Sequence, residues 1–442
     1  VEDLLVLKNN KGTEDNRVRH LDYSVQLNKL MYERLLQGGV ITLFSPSDVP
    51  GLYDAFFSSN DEFQKLYEEA EANPTIRKKQ VSALELFSSL MQERKDTGRI
   101  YIMNVDHANT HSSFTVPVRM SNLCQEITLP TTPIDNLWDD QGEIALCILA
   151  AINWGNIQKP EDFQRPCELA VRALNALIDT QEYPILAAEL ATLNRRPLGI
   201  GIVNFAYWLA RNGSSYSDPN LDLVHEYAEA WSYYMIKASA DLAVEFGACP
   251  KSDETKYEYG VLPIDTYKKA VDELVAPNYK MDWDSLRDQL YENGIYNSTL
   301  MALMPSETSS QISNSTNGIE PPRSLVSVKQ SKDGVLKQVV PDIGNVKYEL
   351  LWDQKSPEGY IKIMAVLQKF IDQSISTNTS YNPAFYPDDK LPMSVLISHL
   401  LMTYKYGLKT LYYFNTNDGA GEEVNMPSTI VVEEEDCDSC KV

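Results

Sequence analysis

The sequence predicts an α/β protein, with parallel strands in a sheet and helices packed outside it. Three observations carry this. Apolar runs of strand length are separated by long amphipathic stretches of helical period, and parallel strands need a crossover of about a dozen residues or more, usually a helix. The chain has 442 residues, beyond the usual ceiling of one hydrophobic core, so one large domain with appendages or two domains are expected. Hydrophobic residues make up 43% and charged residues 23%, a mix that suits a folded, soluble chain rather than a disordered one. There is no internal repeat and no heptad run.

Taken in order, the first 100 residues read as mostly helical. Asp22 can cap a helix with Leu27, Leu30, Met31 and Leu35 on one face, ended by Gly38. Gln80 to Glu93 repeats the pattern with Leu84, Phe87, Leu90 and Met91. Arg99 to Asn104 reads as a buried strand. Helices are expected at about 161–178 and 222–246, with a glycine-bearing strand at Pro197–Val203 between them. Ser298–Met304 reads as a strand leading into a polar loop. Helices near 359–375 and 393–405 precede a strand at Leu408–Phe414. From Asn417 the composition turns to Gly, Ser, Pro and acid, so residues 417–442 read as a mobile acidic tail on a body of residues 1–416.

Charge and cysteine content exclude several classes. A net charge of −23 repels nucleic acid polymers and acidic membranes, although a local pocket of amides and hydroxyls can still take a small phosphorylated ligand. No stretch of 18 apolar residues occurs, so no transmembrane helix is expected. Six cysteines do not make a disulfide scaffold and point to a reducing, cytoplasmic setting, or a host's cytoplasm for a viral protein. The sequons at Asn297, Asn314 and Asn378 are then chance matches. The start at Val1 has neither an initiator Met nor signal-peptide features, and reads as that of a fragment, a processed product or a trimmed chain.

Five segments can carry chemistry. In Ser121-Asn122-Leu123-Cys124-Gln125-Glu126, an extended backbone puts Asn122, Cys124 and Glu126 on one side. The alternative is a structural cysteine beside a surface glutamate. Gly142–Ala150 is an apolar run that buries Cys147, which by itself reads as a core cysteine on a strand or helix. Met304-Pro305-Ser306-Glu307-Thr308-Ser309-Ser310 follows a strand candidate. Its hydroxyls, with the amides of a helix start, make either an anion site or a capped turn. Tyr412-Tyr413 is an adjacent aromatic pair that packing alone can explain. Cys437-Asp438-Ser439-Cys440 lacks two further metal ligands nearby and reads as a redox dithiol on a tether. Gly199-Ile200-Gly201 is not a dinucleotide fingerprint, because Asn204 stands where the third glycine belongs. The five histidines share no metal-binding spacing and read as structural.

Four motifs in order, Ser121-Asn122-Leu123-Cys124, Arg195-Arg196-Pro197-Leu198-Gly199-Ile200-Gly201, Pro305-Ser306-Glu307-Thr308-Ser309-Ser310 and Asn317-Gly318-Ile319-Glu320-Pro321-Pro322, carry a resemblance. With the tyrosine pair and the tail thiols, the chain resembles the C-terminal part of the large, catalytic subunit of class I (aerobic) ribonucleoside-diphosphate reductase. The resemblance runs from Val6-Leu7-Lys8-Asn9-Asn10 to the terminal cysteines. It implies the C-terminal portion of a ten-stranded α/β barrel, with Cys124 on a central finger loop. Cys124 would carry a thiyl radical and take the 3′ hydrogen of the ribose. Glu126 would be the base at the 3′-hydroxyl, Asn122 would bond the sugar hydroxyls, and Cys147 would be one of two reducing thiols. Thr308, Ser309 and Ser310 would cradle the diphosphate in the Pro305–Ser310 loop, with Glu307 lining the pocket. Tyr412 and Tyr413 would relay the radical. Cys437 and Cys440 would re-reduce the active-site disulfide and be reduced by thioredoxin or glutaredoxin.

The resemblance also implies partners. These are a small radical-generating subunit with a metal centre of the diiron-tyrosyl kind, the N-terminal part of the large subunit (in the same polypeptide or as a separate chain), a large-subunit dimer, and a ribonucleoside diphosphate. No cofactor is expected in this chain itself. ATP and deoxynucleotide effectors are expected upstream of Val1. The sequence departs from the family in having no cysteine before Cys124 to serve as the second thiol. Cys167 and Cys249 lie in helical contexts, and the tail cysteines are closer together than is usual. Two other readings compete. One is an inactive or regulatory remnant that binds the small subunit, against which stand Cys124, Glu126, both tyrosines and both tail thiols. The other is a glycyl-radical or cobalamin-dependent relative. Neither Gly419 nor Gly421 has the glycyl-radical context, and the cobalamin enzymes need no tyrosine relay.

Overall fold

The computed structural model describes residues 22–331 and 334–417. The tail dithiol Cys437 and Cys440, His20 and the Val6–Asn10 segment lie outside the described residues. Helices and short strands alternate, as an α/β fold requires.

Several helices fall where their apolar spacing puts them. The helix Ala83–Thr97 is capped by the Ser82 hydroxyl, which accepts from the Glu85 amide at 3.3 Å, a contact worth about 1 kcal/mol. It buries Leu86, Phe87, Leu90 and Met91 and stops at Gly98, whose φ of 73° suits a residue without a side chain. The helices Leu221–Phe246 and Met393–Lys405 also match their sequence signal. Around the first of these, Trp154, Trp208 and Trp231 pack edge to face in the main core.

Other elements differ. Asp22 caps no helix, because Tyr23–Leu27 is a strand and the helix Lys29–Leu36 begins one residue after Asn28, whose side chain accepts from the Met31 amide. The alternation Tyr-Ser-Val-Gln-Leu has period two and wins over the Leu27–Leu35 spacing. Lys78–Ser82 is likewise a strand, paired with Val40–Phe44, so strands interrupt a stretch that is otherwise mainly helical among its described residues. The helix expected near 359–375 ends at Gln368. The expected strand Leu408–Phe414 is split into Thr410–Leu411 and Phe414–Thr416, with the tyrosine pair at the break.

The pieces that hold the site form a hydrogen-bonded arc. Ile148–Asn153 pairs in parallel with Leu198–Val203. Leu198 and Ile200 donate to the carbonyls of Thr299 and Leu300, and Met301 bridges Ile200 in parallel. Leu303 donates to Ser374, and Ser376 donates back to Leu303 at 2.9 Å. Tyr412 donates to Thr377, and Thr379 to Tyr413. Thr410–Leu411 then runs antiparallel to Ile100–Asn104, which pairs in parallel with Tyr23–Leu27. Residues 298–304 join the arc through isolated bridges instead of as a regular strand. Among the described residues the arc stays open between Tyr23–Leu27 and Ile148–Asn153, so they do not form a closed ten-stranded barrel. No described helix is long and apolar enough to cross a membrane.

Candidate active site

Asn122 to Glu126 is a tight turn within a loop, so the same-side arrangement that an extended backbone would give does not apply. The Gln125 amide donates to the Asn122 carbonyl at 3.2 Å, and Gln125 takes φ of 70°, a region that non-glycine residues rarely adopt. The Asn122 side-chain oxygen accepts from the Ile127 amide at 3.0 Å, closing the loop. Alternation therefore does not gather the side chains here; the arc does. The Glu126 carbonyl accepts from the Ser374 amide, and the Thr410 hydroxyl bonds the Gln125 carbonyl. The Ser376 hydroxyl lies 2.6 Å from the Cys124 carbonyl and 3.1 Å from a Glu126 carboxylate oxygen. It has one proton to give, so it serves one acceptor at a time. Cys124 and Glu126 are both buried.

At the strand break, the Tyr412 hydroxyl donates to the Cys124 sulfur at 3.4 Å. The Tyr412 and Tyr413 rings lie 4.0 Å apart, and Tyr101 packs against them at 4.7 and 5.8 Å. Tyr412 is buried and Tyr413 half-buried, so the aromatic path runs from the margin of the fold to the thiol. Burial, reinforced by the hydrogen bonds to Cys124 and Tyr413, pushes the Tyr412 phenol well above its ordinary pKa. It stays protonated at neutral pH, and its oxidation must release a proton with the electron.

Cys147 immediately precedes the strand Ile148–Asn153 and is half-buried, less sealed than the apolar run suggests. Its sulfur sits over Gly199, where a Cβ would stand 2.6 Å away. Burial, then the Glu126 charge, push its thiol up, while a Gln373 hydrogen bond opposes them. Gln373 also receives the Thr128 amide and donates to the Leu198 carbonyl, so one side chain links the finger loop, the Cys147 thiol and the glycine strand.

The Met304–Ser310 loop leaves the arc just after Leu303, the neighbour of Ser376. Pro305 is partly buried, Ser306 and Ser310 are buried, and Glu307, Thr308 and Ser309 face solvent. Ser309–Ile312 is a single helical turn, and the Ser310 amide is already taken by the Ser306 carbonyl. Asn317 holds the Ser306 amide at 2.9 Å. Further on, Glu320 accepts from Asn378, whose oxygen accepts from the Tyr413 amide at 2.9 Å. The loop and the tyrosine pair are thus tied together.

The family model described as "Ribonucleotide reductase, barrel domain" matches residues 1–355 and 344–414. The ribonucleoside-diphosphate reductase subunit alpha of Haemophilus influenzae is 60% identical over 425 residues, covering 95% of this chain and 56% of that protein. The ribonucleoside-diphosphate reductase 1 subunit alpha of Escherichia coli is 56% identical over 450 residues, covering 100% of this chain and 59% of that protein. The subunit alpha of phage T4 is 47% identical, covering 100% and 59%. The chain belongs to the ribonucleotide reductase family. It spans little more than half the length of these relatives.

In this reductase-family chain, the finger-loop residues, Cys147 and the tyrosine pair meet at one end of the arc, with the Pro305–Ser310 loop beside them. Cys167 and Cys249 are buried elsewhere, in or next to helices. The described histidines are held by structural contacts; His111, for example, lies between Thr266 and the Gln368 carbonyl. Sequence reasoning missed Ser376, Gln373, Tyr101 and Arg94. The usable signal was the polar run Asp372-Gln373-Ser374-Ile375-Ser376-Thr377, too polar for a core helix yet buried throughout.

Proposed function

We propose that the protein containing this chain reduces ribonucleoside diphosphates to 2′-deoxyribonucleoside diphosphates by thiyl-radical chemistry. The supporting observation is the hydrogen bond from Tyr412 to Cys124 beside a buried Glu126. A hydrogen atom moves from the Cys124 thiol to an oxidised Tyr412, leaving the sulfur radical. That sulfur takes the 3′ hydrogen of the ribose, Glu126 accepts the 3′-hydroxyl proton, and Asn122 holds the sugar hydroxyls. The 2′-hydroxyl leaves as water. Cys147 and a second thiol supply two electrons and two protons and become a disulfide. The 3′ hydrogen then returns from Cys124 to the ribose, which leaves the sulfur radical again. Tyr412 gives its phenolic hydrogen back to the sulfur, so the thiol is restored and the radical retreats along the relay. Enclosure matters because stray reductants and other hydrogen-atom donors would quench a thiyl radical.

The diphosphate is assigned to Thr308, Ser309 and Ser310 in the Pro305–Ser310 loop, with Ser306 beneath and Glu307 at the rim. Cys437 and Cys440 would re-reduce the disulfide and pass their own oxidation to thioredoxin or glutaredoxin. A separate small subunit, with a diiron-tyrosyl centre, would supply the radical through Tyr413. The remaining proposed partners are the N-terminal part of the large subunit, which carries ATP and deoxynucleotide effector sites, and a second large subunit. The setting would be cytoplasmic. The test is Tyr413→Phe in the assembled enzyme. Phenylalanine has no phenolic proton to lose, so deoxynucleotide formation should vanish while diphosphate binding persists. Near-normal turnover would sink the relay.

A further inference from the structure

Arg94 is fully buried in the last turn of the helix Ala83–Thr97. Its guanidinium has no carboxylate partner among the described residues. It donates instead to three carbonyls: Ile100, Tyr412 at 2.7 Å and Tyr413 at 3.2 Å. Burial lowers its pKa only to about 10, so it remains a cation at neutral pH. A buried charge without a counter-ion is costly, and a hydrophobic side chain would fill the space without that cost. What the charge gains is a hold on two consecutive carbonyls at the break in the strand, added to the bonds from the Tyr412 amide to Thr377 and from the Thr379 amide to the Tyr413 carbonyl. The same helix end grips the next residue, since the Phe414 amide donates to the Gly98 carbonyl at 2.9 Å. A planar fork of fixed donors suits this task better than a flexible ammonium.

We infer that Arg94 is a positioning residue for the radical relay, clamping the Tyr412 and Tyr413 carbonyls so that the Tyr412 phenol stays in hydrogen-bond contact with the Cys124 thiol. This assignment rests on the relay proposed above. Arg94 touches no substrate and transfers no electron; it acts through the backbone it holds. Hydrogen-atom transfer depends steeply on donor–acceptor distance, and a misplacement of about 1 Å costs on the order of 100-fold in rate.

The test uses Arg94→Gln, Arg94→Lys and Tyr412→Phe in the full enzyme assembled with its radical-supplying subunit. Arg94→Gln is expected to lower kcat by about 100-fold with KM for the diphosphate and small-subunit affinity unchanged. Arg94→Lys, which keeps the charge, should recover part of the loss. With an easily oxidised analogue, 3-aminotyrosine, at position 412, the radical yield seen by electron paramagnetic resonance should fall in Arg94→Gln and return in part with Arg94→Lys. If Tyr412→Phe is inactive while Arg94→Gln turns over normally, the Arg94 assignment is overturned and the relay stands. If Tyr412→Phe is itself active, the relay fails. Should Arg94→Gln not fold, Arg94→Lys decides: a partial loss of kcat and of radical yield at unchanged KM supports the clamp, and normal kcat and radical yield overturn it.

Discussion

Replacing Gly199 with alanine should separate stability from activity. The added Cβ would stand 2.6 Å from the Cys147 sulfur and 2.6 Å from a Leu149 methyl, with the Ala302 Cβ at 3.5 Å. Carbon contacts are optimal at about 3.5–4.0 Å, so both neighbours must retreat by about 1 Å. Leu149 is 45% exposed and can swing outward. The thiol, held between Gly199 and Gln373, has less room. Overpacking typically costs about 1–3 kcal/mol, and the freedom of Leu149 puts this case near ~1 kcal/mol. If Cys147 is the reducing thiol proposed above, turnover should suffer far more, because a reacting group displaced by about 1 Å loses on the order of 100-fold in rate. Urea unfolding, deoxynucleotide formation and the alkylation rate of Cys147 measure the three consequences together. A folded variant with wild-type turnover would refute the claim that this glycine exists to seat the thiol.

Ser376→Ala removes the hydroxyl shared by the Cys124 carbonyl and Glu126. Hydrogen bonds to charged groups contribute about 1.5–3 kcal/mol, so kcat should fall by about 10- to 100-fold with little change in KM; an unchanged kcat would show that the backbone contacts alone hold the loop. His225, buried against Lys369 at 3.1 Å, has its pKa lowered from 6.5 to about 4 by burial and then by the Lys369 charge, with Asp272 opposing. The unfolded chain therefore binds the extra proton first. Stability is complete above about pH 6.5 and is lost as pH falls towards about 4, by up to ~3 kcal/mol. Urea midpoints across that window should drop less steeply in His225→Gln, and parallel slopes in the two proteins would contradict the assignment.

The legible parts of the fold were those where local chemistry and tertiary packing agree. Met393–Lys405 and Leu221–Phe246 show a helical period over many turns, and Leu198–Val203 is apolar throughout with two glycines, where only a buried strand fits. Tyr23–Leu27 was misread because its period-two signal is five residues long and overlaps leucines at helical spacing. The candidate site was legible as residue types in order, namely cysteine, carboxylate, hydroxyl loop and tyrosine pair. Its assembly was not. Ser376, Gln373 and Arg94 act through backbone carbonyls and amides far away in sequence, and a main-chain acceptor leaves no mark on the residue that supplies it. Cys124 and Tyr412 meet across 288 positions, a separation that only the strand order of the arc closes.

Turnover by Cys124→Ser, measured as deoxyribonucleoside diphosphate formed by the assembled enzyme, bears most directly on the role of that sulfur. A serine hydroxyl holds its hydrogen much more tightly than a thiol, so no oxygen radical should form there. Product should be absent while the diphosphate still binds. Deoxynucleotide formation at a rate comparable to the unaltered enzyme would mean that residue 124 does not carry the radical.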